Sequence, residues 1–133
     1  MSQWSDQPKE IGAVTLFVED LGAARQFYED VFGLPVHYED ENSAVFRFGG
    51  VLINLLDVAA AHELITPASV ATPKAGSRSQ FTIGVSDVDA VCATLAERGV
   101  TLVNGPMNRP WGIRTAAFAD PGGHLWEIAQ DLS

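Results

Sequence analysis

Apolar and polar positions alternate along "AVTLFV", Ala13–Val18, and again along "QFTIGV", Gln80–Val85. A period of two marks a half-buried strand. In the first stretch Val14, Leu16 and Val18 share one face, leaving Ala13, Thr15 and Phe17 on the other. In the second, Phe81, Ile83 and Val85 stand opposite Gln80, Thr82 and Gly84. Each strand runs into an aspartate, Asp20 or Asp87, after which the period becomes helical. Leu21, Ala24, Phe27, Tyr28 and Val31 form one apolar stripe, and Val88, Val91, Cys92 and Leu95 form the other. A short carboxylate at the cap accepts from the free amides of the first turn. Gly33 and Gly99 fall where a left-handed helix end belongs.

Three short strands are expected after each helix. They are Pro35–Glu39, Ser43–Phe48 and Val51–Asp57 in the first half, with "EDEN" and "GG" as turns. In the second half they are Thr101–Asn104, Gly112–Ala119 and His124–Gln130, the last two joined by "DPGG". Asp20 and Asp87 lie about half the chain apart, so the simplest reading is a duplicated βαβββ unit. The fold class is therefore α+β. Two modules, each with a helix on one face, set their sheets edge to edge into one curved mixed sheet, with a trough on the face away from the helices. Residues 1–10 are a polar tail, 11–57 the first module and 80–130 the second, all within one domain. The linker, 58–79, is rich in Ala, Pro, Ser and Thr and reads as a crossover or lid.

With 133 residues, 47% of them hydrophobic, the chain can bury one sizeable core. It has no apolar run long enough for a membrane span, and "MSQWSDQPKE" lacks the apolar core of a secretion signal. A cytoplasmic location is expected. The net charge of −9 argues against nucleic acid and anionic membranes and leaves neutral or cationic small molecules as partners. A single cysteine, Cys92, excludes an internal disulfide and a Cys-based zinc site, and its place on an apolar helix stripe makes it packing. No Ser–His–Asp or Cys–His arrangement is suggested. "GG" and "DPGGH" lack the strand-to-helix setting of phosphate loops.

Glu127, between Trp126 and Ile128 on the last strand, is the conspicuous polar residue. A lone acid on a strand that otherwise reads as buried is costly without a partner. Trp126 alternates with it and belongs to the core. Trp111, in "RPWGIR", sits on a stiff loop and can offer a flat face to a planar ligand. Arg114 is a candidate either to neutralise Glu127 or to grip an anionic group.

The segments "VTLFVEDLGAARQFYEDVFGLPV", "FTIGVSDVDAVCATLAERGV" and "WGIRTAAFADPGGHLWEI", in this order, resemble the vicinal oxygen chelate superfamily. That superfamily includes glyoxalase I, extradiol dioxygenases, fosfomycin-inactivating enzymes and bleomycin-binding resistance proteins. The resemblance runs from about Ile11 to Gln130 and implies a glyoxalase-like fold and a homodimer. The fold hosts several chemistries, so it leaves activity open. The superfamily's metalloenzymes place ligands at positions that here are Ala13, Asn54, Gln80 and Glu127. Ala13 has no donor, and the Gln80 amide is a poor anchor for a transition metal. A catalytic metal needs about three good protein ligands and an open position. His37, His62 and His124 fall outside those positions. The expectation is therefore no metal and no cofactor, with Glu127 taking hydrogen bonds from the Gln80 and Asn54 amides. The candidate ligand contacts are Thr15, Phe17, Asn54, Gln80, Trp111, Arg114 and Glu127. The function implied is a metal-independent small-molecule binder of the bleomycin-resistance type, with an aromatic or cationic ligand. The alternative is a metal-dependent lyase, isomerase or dioxygenase with an atypical ligand set. A third reading is a binding or regulatory module without catalysis or drug sequestration.

Overall fold

The computed structural model describes residues 4–133. Positions 1–3 of the expected tail lie outside the described residues, and Trp4–Asp6 forms one turn of 3₁₀ helix. Two βαβββ modules follow. The first comprises β1 (Ala13–Val18), α1 (Leu21–Phe32), β2 (Tyr38–Glu39), β3 (Ser43–Phe48) and β4 (Val51–Asp57). The linker contains α2 (Val58–Ile65). The second module comprises β5 (Gln80–Gly84), α3 (Val88–Glu97), β6 (Leu102–Asn108), β7 (Ile113–Ala119) and β8 (Leu125–Asp131).

The strands make two four-stranded mixed sheets, ordered β1-β4-β3-β2 and β5-β8-β7-β6. In each, the first strand pairs parallel with the last, and the remaining pairs are antiparallel. The repeat seen in the sequence is thus a repeat of topology. Asp20 and Asp87 cap their helices as expected, accepting from the amides of Ala23 and Ala90 at 3.0 and 3.1 Å. Gly33 ends α1 with φ 69°, a left-handed conformation that favours glycine.

Three details depart from the expected pattern. The linker is not structureless, because "VAAAHELI" forms α2 under an Asp57 cap that accepts from the Ala59 amide at 2.9 Å. Strand β2 is reduced to two residues. Strand β6 runs on to Asn108 and shifts register twice against β7. Gly105 lies in that irregular stretch with φ 82°, and a Cβ there would collide with the Thr115 carbonyl.

One core serves both modules. Val18, Tyr28, Phe46 and Leu55 from the first are fully buried, and Phe118, Trp126 and Ile128 from the second are nearly so. Helix α1 packs its rings across the module boundary. Phe32 meets Trp126 at 4.9 Å between centroids and Phe118 at 5.8 Å. Edge-to-face and offset pairs at these separations stabilise beyond the area they bury.

The seam is polar and closed by the "DPGGH" turn. The Tyr28 hydroxyl donates to Asp120 Oδ2 at 2.7 Å and accepts from Trp126 Nε1 at 3.1 Å. Asp120 Oδ1 accepts the amides of Gly122 and His124. His124, 3% exposed, places Nε2 at 2.9 Å from the Phe17 carbonyl and Nδ1 at 2.8 Å from Ser79 Oγ. A carbonyl only accepts, so Nε2 carries the proton and Nδ1 accepts from Ser79. Arg78 donates to the Gly122 carbonyl and pairs with Glu19. On the other side of the core, Arg98 of α3 donates to the Val31 carbonyl at the end of α1, at 2.7 Å. No helix among the described residues is long and apolar enough to cross a membrane.

Candidate functional site

Two surfaces compete for function: the open sheet face away from the helices, and a cleft where the modules meet.

On the open face the pairing registers set Thr15 beside Asn54 and Thr82 beside Glu127. These are equivalent rungs of the two modules. Asn54 Nδ2 donates to Thr15 Oγ1 at 3.4 Å, and Thr82 Oγ1 donates to Glu127 Oε1 at 3.0 Å. The expectation that Glu127 is held by the Gln80 and Asn54 amides is therefore corrected. The strand pairing puts Gln80 opposite Leu125 and gives Glu127 the nearer hydroxyl of Thr82. Ala13 and Gln80 are exposed at the starts of β1 and β5.

This donor set does not fit a metal ion. Ala13 contributes no ligand atom. One Glu127 oxygen already accepts from Thr82. Asn54 Oδ1, buried and without a hydrogen-bond partner among the described residues, is a single neutral oxygen. No cluster of three or more His, Cys, Asp or Glu suited to a metal exists among the described residues. A transition-metal ion is held best by imidazole, thiolate or carboxylate, and of these the implied positions offer only Glu127.

The remaining predicted contacts disperse. Thr15 and Phe17 border a small crevice roofed by residues 69–71 of the linker, beside Arg78 and His124. Trp111 is 68% exposed on its loop. Arg114 faces the helices, not Glu127. Its rung partner is Gln130, whose Oε1 caps the Val88 amide of α3. Arg114 forks onto Asp89 of α3 at 2.9 and 3.1 Å and reaches Asn108 at 3.0 Å. The bond to Asp89 holds its guanidinium pKa above the ordinary value. Neither neutralising Glu127 nor lining the trough is open to it. Burial, with the Asp89 carboxylate nearby, pushes the Cys92 thiol up, which suits an inert packing residue.

The cleft is the larger feature. It has a volume of about 620 Å³ and takes its walls from both modules. Val14, Phe32, Phe48, Val51 and Ile53 come from the first, and Phe81, Ile83 and Trp126 from the second. Phe48 stacks on Trp126 at 5.0 Å with 20° between planes, and Phe81 lies 5.2 Å from Trp126. The volume falls within the range that small-molecule pockets occupy. Among the described residues the polar side chains on this wall are Thr82, whose hydroxyl is committed to Glu127, and Arg47. Asn54, Gln80 and Glu127 do not line it.

Sequence reasoning missed this cleft. Phe48, Phe81 and Trp126 occupy helix-facing positions and read as ordinary core. They form a cleft because the two sheets are separate ladders, which leaves a gap where their helix-facing sides meet. Arg47, between two phenylalanines in "FRFGG", was the available signal.

Residues 10–128 match the model of the Glyoxalase/Bleomycin resistance protein/Dioxygenase superfamily. The chain belongs to that superfamily. Among relatives, the YraH protein of Bacillus subtilis is 34% identical over 123 residues, covering 90% of this chain and 96% of its own. Among solved structures, a glyoxalase/bleomycin resistance protein/dioxygenase from Nocardioides superposes with TM-score 0.85 at 26% identity, covering 96% of this chain and 86% of that one. TnmS3, an antibiotic binding protein from Streptomyces sp. CB03234, superposes with TM-score 0.71 at 26% identity, covering 93% and 97%. Glyoxalase-superfamily membership accounts for the two βαβββ modules. It leaves the chemistry to the site, since one fold carries several activities.

Proposed function

We propose that this glyoxalase-superfamily protein is a metal-independent binder of aromatic small molecules. The observation that carries the reading is the cleft of about 620 Å³ walled by Phe32, Phe48, Phe81 and Trp126. Flat rings entering there meet the edges and faces of these side chains. The superfamily's metal positions support the same reading from the opposite direction, because Ala13 offers a transition metal no donor and Gln80 only a weak amide oxygen. The likeness to an antibiotic binding protein is consistent with binding without chemistry.

The test is a titration of chelator-treated protein with a panel of aromatic compounds, followed by tryptophan emission. Trp126 is 2% exposed and stacked, so a ring entering the cleft changes its surroundings. Saturable binding that is unchanged by chelator supports the proposal. Binding that disappears on chelation and returns with a divalent metal contradicts it.

A further inference from the structure

The lining of the cleft includes one charged residue. Arg47 is the one ionised side chain among its described lining residues. Most other arginines of the chain are engaged. Arg25 pairs with Glu29 and Glu39, Arg78 with Glu19, and Arg114 with Asp89. Arg98 donates to the Val31 carbonyl, and Arg109 to Thr115 and Asn104. Arg47 forms no ion pair with a described carboxylate. Its Nη2 lies 3.5 Å from His37 Nε2, at the limit of a hydrogen bond.

We infer that the cleft takes aromatic acids: planar ligands whose rings stack among Phe48, Phe81 and Trp126 and whose carboxylate pairs with Arg47. The inference rests on the cleft being the binding site, as proposed above. Its physical basis is the contrast between the wall and the whole. A chain of net charge −9 repels anions in general. An unpaired guanidinium at an apolar rim offsets that locally. Arg47 itself is exposed to solvent, and it presents a planar donor fork matched to the carboxylate of a ligand whose ring can enter the apolar cleft beside it. A cationic ligand in the same cleft would bring its charge up against Arg47. The net charge favours neutral or cationic partners for the chain as a whole, but no carboxylate is among the described residues that line the cleft.

The experiment is calorimetric titration of the full chain with 2-naphthoate and with its neutral isostere 2-naphthamide. Both are measured on wild type, Arg47→Gln and Arg47→Lys. Naphthoate is expected to bind about tenfold tighter than the amide or better, the scale of a charge-assisted hydrogen bond. Arg47→Gln should collapse that ratio towards one, and Arg47→Lys should keep part of it. Raising the salt should weaken naphthoate selectively. An amide that binds as tightly as the acid, or a preference that survives Arg47→Gln, overturns the assignment to acids and leaves the cleft as a site for neutral rings. If neither compound binds wild type, the assignment and the cleft reading fall together.

Discussion

Thr82 and Glu127 share one rung of the second sheet, hydroxyl to carboxylate at 3.0 Å, and Thr15 and Asn54 repeat that rung in the first. Asn54 and Glu127, two of the four positions the family resemblance implies as ligands, each share their rung with a threonine hydroxyl. A Glu127→Gln change keeps the shape and removes the charge. It should lower stability by no more than about 1 kcal/mol in urea denaturation, the net worth of one hydrogen bond. Affinity for ligands of the cleft should stay within about twofold, because Glu127 is not on the cleft wall. A large loss of affinity with stability intact would move binding to the open face.

Metal uptake gives a second check. Protein soaked in excess Zn²⁺, Ni²⁺ or Mn²⁺ and then desalted should retain well under one ion per chain, since one carboxylate and two amides make a poor site. Near-stoichiometric metal that is lost in Glu127→Gln would restore the enzyme reading.

Tyr28 ties the modules together, and its removal should show it. Tyr28→Phe leaves Asp120 Oδ2 and Trp126 Nε1 without this partner in the core. The expected cost is about 2–4 kcal/mol, from two buried groups left unpaired. Burial first, and then the adjacent Asp120 carboxylate, raise the pKa of the Tyr28 phenol well above its ordinary value. The unfolded chain releases this proton above about pH 10, whereas the folded chain keeps it. The stability it contributes is therefore complete below that pH and declines as pH rises beyond it. Alkaline unfolding of wild type should be steeper than that of Tyr28→Phe by up to about 1.4 kcal/mol per pH unit. Parallel profiles would mean that the phenol ionises in the folded state.

The order of elements in each module and the helix caps were legible in the sequence because each rests on local rules. Strand alternation, an aspartate cap and a left-handed glycine are written within a dozen residues. The seam was not legible. His124 and Asp120 read as turn residues, yet they bond to Phe17, Ser79 and Tyr28, residues distant in the chain. Arg114 was misplaced for a related reason. Its face follows from the β7–β8 register, which the turn alone does not reveal. The cleft escaped because its walls are made of residues indistinguishable from core until the modules are docked.

Assembly is a further expectation. Strands β1 and β5 lie at the edges of their sheets, and Val103, Met107, Trp111 and Leu64 are exposed large apolar side chains. Free edges and exposed apolar groups favour association. Sedimentation at micromolar concentration should give a homodimer, and a monomer under those conditions would contradict it.

The central claim is that rings bind between the modules, and the most direct measurement is a chemical-shift map of ¹⁵N-labelled protein titrated with 2-naphthoate. The account predicts saturable shifts of the Trp126 indole and of the Phe48, Val51, Phe81 and Ile83 amides, with the exposed Trp4 and Trp111 indoles unmoved. Shifts centred on Asn54, Gln80 and Glu127, with the Trp126 indole silent, would contradict it.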